Sequence, residues 1–170
     1  MNVMDCIVTR RSIRKYTGEV ISKEQLETLL KAAVYAPSAM KRLPWHFVVL
    51  QDKDQLKKMT EIHPYTKFAV DAGTAIVVCA DANINDNTTH LIQDTAACIQ
   101  NMLLAAHDMG LGACWCGLYD NVERRNAICE LCGITEENIL PTSIVVVGNT
   151  DDAPATPDRW DETRFHYGKW

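Results

Sequence analysis

The chain carries no long uninterrupted apolar run, no G-x-S-x-G, no P-loop and no G-x-G-x-x-G. The first absence leaves no segment for a membrane span. The others exclude a serine hydrolase elbow, a Walker-type nucleotide site and a Rossmann dinucleotide domain; Gly110-Leu111-Gly112 lacks the third glycine and a preceding strand. Positive charge is also scarce, with 17 Lys and Arg against 22 Asp and Glu for a net charge of −5. That balance argues against nucleic-acid and anionic-membrane partners. No basic apolar leader opens the chain, so the expected location is cytoplasmic. Seven cysteines, an odd number, then read as reduced thiols rather than a disulfide framework. Cys114-Trp115-Cys116 falls in an apolar strand pattern and Cys129/Cys132 in a helical one, so both pairs read as small buried hydrophobes rather than zinc ligands. His46, His90, His107 and His166 show no metal-ligand spacing with one another.

What is present is one domain of 170 residues, 47% hydrophobic and 23% charged. It is organised around QDTAACIQNMLLAAHDMGLGACWCG, residues 93–117. The polar pairs Gln93/Asp94, Gln100/Asn101 and His107/Asp108 recur every seven residues and stack into one stripe of a helix. The rest of its circumference is apolar, so the helix must be covered on most sides. In so small a chain this hints at a second subunit. Gly110 and Gly112 are expected to stop the helix, which leads through the apolar run 113–117 into a ligand-contacting turn. Asp94 either faces a pocket or caps the helix, capping being the commoner role.

Ahead of this helix, residues 1–9 read as a short helix with Val3, Ile7 and Val8 inward. RRSIRKY, residues 10–16, places four cations within six residues. A solvated basic patch is one account of it. An anion site is the other, because arginine offers a planar fork of donors and Ser12 a hydroxyl. Ser22 and Gln25 form a capping box for a helix from Lys23, with Leu26, Leu29, Leu30 and Ala33 on its inner face. Pro37 ends it and opens PSAMKRLPW, residues 37–45, an ordered loop whose small residues can lie flat on a planar ligand. A strand at 47–50 and a helix at 54–62 with Leu56 and Met59 inward follow. His63 reads as a loop-capping or solvent-facing residue, a ligand or catalytic base being the less common alternative. Residues 75–80 read as a buried strand, 81–89 as an exposed mobile loop, 121–132 as a helix closed by Gly133, and 143–148 as another buried strand. In the tail, alternation at residues 164–167 suggests a closing strand or an arm lying on another surface.

Taken in order, RRSIRKY, APSA…PWHF, AIVVCAD, the 93–117 stretch and DRWDETRFHYGKW resemble the nitroreductase family of FMN-dependent oxidoreductases over nearly the whole chain. The resemblance implies an α+β fold, a mostly antiparallel sheet flanked by helices, in an intertwined homodimer. Residues from about 149 to 170 would be an arm that reaches the partner subunit and buries Trp160 and Trp170 there. It implies FMN at the dimer interface, NADH or NADPH as donor, and a small planar acceptor such as a nitroaromatic or quinone. By matching position, Arg10, Arg11, Ser12 and Arg14 would hold the phosphate and pyrimidine edge. Pro37, Ser38 and Ala39 would line the flavin from the other subunit, Cys116 and Gly117 would approach N5, Lys67 would stand near the N1/O2 edge, and Arg159 would pair with the phosphate. No dedicated catalytic acid or base is implied. Lys41 and Leu43 stand where the family usually has Asn and Gln, and Thr156 and Pro157 where many members have a lysine. Two further readings share the fold: a specialised flavoenzyme for flavin fragmentation or dehalogenation, and a non-catalytic FMN-binding dimer.

Overall fold

Two strand sequences dictate the architecture. In Thr74–Asp81 and Ile139–Asn149 nearly every residue is buried, so both strands must be covered on both faces. A computed structural model describes all 170 residues and bears this out. The strands β1 (Trp45–Leu50), β2 (Thr74–Asp81), β3 (Leu111–Gly117) and β4 (Ile139–Asn149) form one antiparallel sheet in the order β1-β2-β4-β3, with β2 and β4 at its centre. Successive side chains leave a strand on opposite faces. Ile76, Val78, Val145 and Val147 therefore enter one core, and Ala75, Val77, Cys79, Ile144 and Val146 the other.

The first core is closed by α2 (Lys23–Val34) and α5 (Thr88–Asp108). The second is closed by α3 (Lys53–Ile62), α4 (Ala69–Ala72) and α6 (Val122–Cys132). The α+β sandwich expected from the sequence is the one observed. Ser22 and Gln25 make the reciprocal capping box, and Asn121 and Gly133 bracket α6. Gly148 lets α4 pack against β4, since a Cβ there would lie 2.5 Å from the Ala72 carbonyl oxygen. No helix is long and apolar enough to cross a membrane.

Several expectations need correction. The central helix begins at Thr88 rather than near Gln93, because the Asn87 side chain accepts from the His90 N–H and starts it earlier. Its 21 residues span about 31 Å. The 81–89 segment is correspondingly shorter and is not wholly exposed, since Asn85 is buried. Helix α1 (Val3–Thr9) buries only Cys6, whose thiol donates to the Leu104 carbonyl; Val3, Ile7 and Val8 face outward. Gly110 ends the helical region, but Gly112 lies inside β3; the strand pattern expected around Cys114 and Cys116 is observed and runs through Gly117, so Cys116 and Gly117 stand at a strand end rather than in a turn. Strand β4 runs across Pro141, which lacks an N–H, and the register opposite it shifts between Val78 and Cys79. No strand forms at residues 164–167. Beyond β4 the tail holds one short 3₁₀ turn, Glu162–Arg164. It leaves Trp160 72% and Trp170 101% exposed.

Candidate functional site

Gly112 makes the first link between the arginine-rich segment and the sheet. A Cβ at that position would lie 2.7 Å from Ile13 Cγ2, so only glycine lets residues 12–14 approach this edge strand so closely. The Ile13 N–H donates to the Ala113 carbonyl at 3.0 Å, and Ser12 bridges Ala113 in parallel. RRSIR is thereby laid along β3, beside Cys114 and Cys116. These two residues stand on the same face of the strand.

Residues of the arginine-rich segment line two cavities. One, of about 460 Å³, is lined by Arg14, His63, Tyr65, Lys67, Cys116 and Gly117 among others. The other, of about 640 Å³, holds Arg10, Arg11 and Arg159 with Pro157, Asp158 and Trp160. None of Arg10, Arg11, Arg14, Lys67 or Arg159 forms an ion pair within the chain. Arg11 spends its donors on the carbonyls of Val8, Arg10 and Ala155. Arg10 differs: its Nη1 is buried with no partner at all. Burial, with Arg11 and Arg159 alongside, lowers the pKa of its guanidinium from the ordinary value. A buried donor without an acceptor is costly, and three guanidinium groups converge here with none of them ion-paired, the one carboxylate of the lining, Asp158, accepting from the Trp160 N–H instead. An anion with several acceptor oxygens satisfies both conditions.

The thiols sit under the same charges. The Cys114 thiol is shifted down from its ordinary range, chiefly by the adjacent Cys116 thiol and then by the nearby guanidinium groups of Arg14 and Arg10. The Cys116 thiol is shifted up by that same partnership and by burial. Tyr16 stacks on Phe68 beside this cavity and donates to the Ile13 carbonyl at 2.7 Å, which fixes the turn out of the arginine-rich segment.

Arg10, Arg11, Ser12, Arg14, Lys67, Cys116, Gly117 and Arg159 thus gather along one edge. Pro37, Ser38 and Ala39 do not join them. The Ala39 N–H donates at 2.8 Å to Asp94 near the start of α5, whereas Thr9, next to Arg10, bonds His107 at its end. Thirteen helical residues separate those anchor points, about 20 Å. Asp94 is therefore a buried anchor for the 38–43 loop and not the helix cap expected for it; Asn87 caps α5 instead. The loop it anchors is strained. Met40, Lys41 and Leu43 have φ of 53°, 57° and 52°, the left-handed region that non-glycine residues avoid.

His63 is 1% exposed, which rules out the solvent-facing alternative expected for it, and its Nε2 lies 2.7 Å from the Gly117 carbonyl. Its only sequence signal was its place between a helix end and Pro64.

Comparison with known proteins gives the chain's relatives. Residues 7–63 and 63–149 match the model described as "Nitroreductase family". A Methanothermobacter thermautotrophicus protein named "Putative NADH dehydrogenase/NAD(P)H nitroreductase" is 40% identical over 170 residues, covering 100% of this chain and 88% of that protein. A crystal structure from Parabacteroides distasonis under the same name is similar with a TM-score of 0.92 at 30% identity, covering 98% of each chain. An FMN-dependent nitroreductase from Clostridium difficile gives a TM-score of 0.89 at 28% identity, covering 99% of this chain and 100% of that one. The edge cluster and these matches lead to one conclusion: the chain belongs to the nitroreductase family.

Proposed function

We propose that the protein is an FMN-dependent oxidoreductase that takes reducing equivalents from NADH or NADPH and passes them to a planar acceptor, a nitroaromatic or a quinone. The single observation that carries the flavin is Arg10. Its unpartnered, buried Nη1 beside Arg11 and Arg159 fits a phosphate monoester. Arg10 and Arg159 would bind that phosphate. Ser12 adds a hydroxyl, and Arg11 holds the segment in shape through backbone carbonyls.

Bound FMN supplies a ring that accepts and donates a hydride. The chain's own part is to seat that ring and to set the charge around it. Arg14 and Lys67 bring unpaired positive charge to the smaller cavity, which favours a ring that becomes anionic on reduction. The Cys116–Gly117 backbone lines the same cavity, and its peptide N–H is a neutral donor for the ring edge. No side chain there is needed as an acid or base.

The protein works, in this reading, as a homodimer. Pro37, Ser38 and Ala39 lie about 20 Å of helix away from Arg10 in their own chain, so they can line the same flavin only from a second copy. Outward-facing Val3, Ile7 and Val8, and a tail with exposed Trp160 and Trp170, give that copy apolar surface to cover.

The test is an anaerobic titration of FMN-loaded protein with NADH and, separately, NADPH. The visible flavin absorption should bleach and should return when a quinone or nitroaromatic is added. Protein that takes up no FMN, or whose bound FMN is reduced by neither donor, overturns the proposal.

A further inference from the structure

His63 stands at the end of α3, immediately before Pro64. Its Nε2 faces the Gly117 carbonyl at 2.7 Å. A carbonyl only accepts, so the ring proton is on Nε2 and Nδ1 carries a bare lone pair. That Nδ1 is buried and has no partner. A second, weaker tie runs beside the first: the Cys116 thiol donates to the Tyr65 carbonyl at 3.6 Å. Residues 63–65 and 116–117 are thus joined twice at the wall of the smaller cavity, across 54 and 51 residues of chain.

We infer that His63 is a positioning residue: as the neutral Nε2–H tautomer it holds the Gly117 peptide that the flavin ring lies against, and it lets go in acid. The inference rests on the flavin reading above. A second proton can go only onto Nδ1, where no acceptor awaits it, so the imidazolium is a buried charge with one unsatisfied donor. The Gly117 carbonyl, which still accepts from the Nε2–H of the imidazolium, offsets part of that cost, but burial outweighs it and the other groups around the ring do not rescue the charge. Arg124 of α6 opposes it, and Arg14 and Lys67 add positive charge to the same cavity. Tyr65 meets the ring edge-on, the thiols of Cys114 and Cys116 line the cavity, and Asp120 gives only a minor favourable contribution. Burial accordingly holds the His63 pKa below its ordinary value. The sign follows from that direction. The contribution of His63 to the folded site is complete above the unfolded-state pKa and is lost as pH falls through the lower, folded-state one.

The experiment compares wild type, His63→Gln and His63→Phe. FMN dissociation constants are measured by flavin fluorescence across the acid-to-neutral range, and the His63 tautomer is read by nitrogen NMR on flavin-free protein. Glutamine can present an N–H near the Nε2 position but does not titrate; phenylalanine keeps the ring and loses the donor. The FMN phosphate titrates near about 6 in every variant, so the readout is the difference between profiles. At neutral pH, His63→Gln should bind FMN within about threefold of wild type and His63→Phe about tenfold more weakly. In acid, wild type should weaken more steeply than either variant, and NMR should show the Nε2–H form. Superimposable wild-type and His63→Gln profiles, wild-type affinity in His63→Phe, or an Nδ1–H tautomer would each overturn the inference. Should His63→Phe not fold, the glutamine comparison and the NMR result decide. Should wild type bind no FMN, the flavin reading fails by itself, and the tautomer of His63 is still decided by NMR.

Discussion

Asp94 and Ala39 are 55 residues apart in sequence and joined by one hydrogen bond of 2.8 Å, from the Ala39 N–H to the carboxylate Oδ1. Asp94 is 5% exposed, and this contact ties the strained 38–43 loop to the central helix. The stripe recurs along α5: Asn101 donates to the Ala32 carbonyl, and His107 bonds the Thr9 hydroxyl. Polar residues that look solvated in a helical projection are the pegs on which three other segments hang.

Replacing Asp94 with Ala removes the acceptor, whereas Asn keeps one oxygen in place. Amide hydrogen exchange at Ala39 should quicken in Asp94→Ala, on the order of tenfold or more for a lost buried hydrogen bond. It should stay near wild type in Asp94→Asn. Equal protection in Ala and wild type would show that the loop holds its shape without the carboxylate.

The phosphate role given to Arg10 and Arg159 separates two ligands that differ only in that group. Arg10→Ala should weaken FMN by about 1.5–3 kcal/mol, roughly 10- to 150-fold, the range for a charged hydrogen bond. Riboflavin, which lacks the phosphate, should be bound equally by variant and wild type. Arg159→Ala should behave alike with a smaller loss, because Arg159 is exposed where Arg10 is half-buried. Parallel losses for both ligands in calorimetry would mean that the arginines shape the fold instead of contacting phosphate.

Gly148 reports on packing between sheet and helix. Gly148→Ala drives a methyl group into the backbone of Ala72, at 2.5 Å from its carbonyl oxygen and 2.9 Å from its Cα. Overpacking of this kind typically costs about 1–3 kcal/mol. The midpoint of urea unfolding should fall while its slope is unchanged. An unchanged midpoint would contradict the close approach of α4 to β4.

The layers were legible because their causes are local. Ser22 and Gln25 announce α2 within four residues, Asn121 and Gly133 bracket α6, and the buried strands read as unbroken apolar runs. The arginine-rich segment and the Cys116–Gly117 stretch were legible as candidate site residues and do meet along β3. What escaped depends on distant partners. His63 is explained only by Gly117, and Asp94 only by Ala39. The outward turn of Val3, Ile7 and Val8 has the same origin: helical spacing says which residues share a face, and contact with α5 decides which face is buried, here that of Cys6. The early start of α5 was hidden in a polar run, where one Asn87 side chain turns a loop into a first helical turn.

The central claim is that one flavin is shared by the arginine segment of one protomer and the 38–43 loop of another. Sedimentation velocity on FMN-loaded protein, followed at the flavin's visible band and at the protein band, tests it most directly. Both signals should move together as a dimer of about 38 kDa, twice the 19.1 kDa chain, with one FMN per chain. Flavin that sediments with a stable monomer, or dimers that hold none, would contradict it.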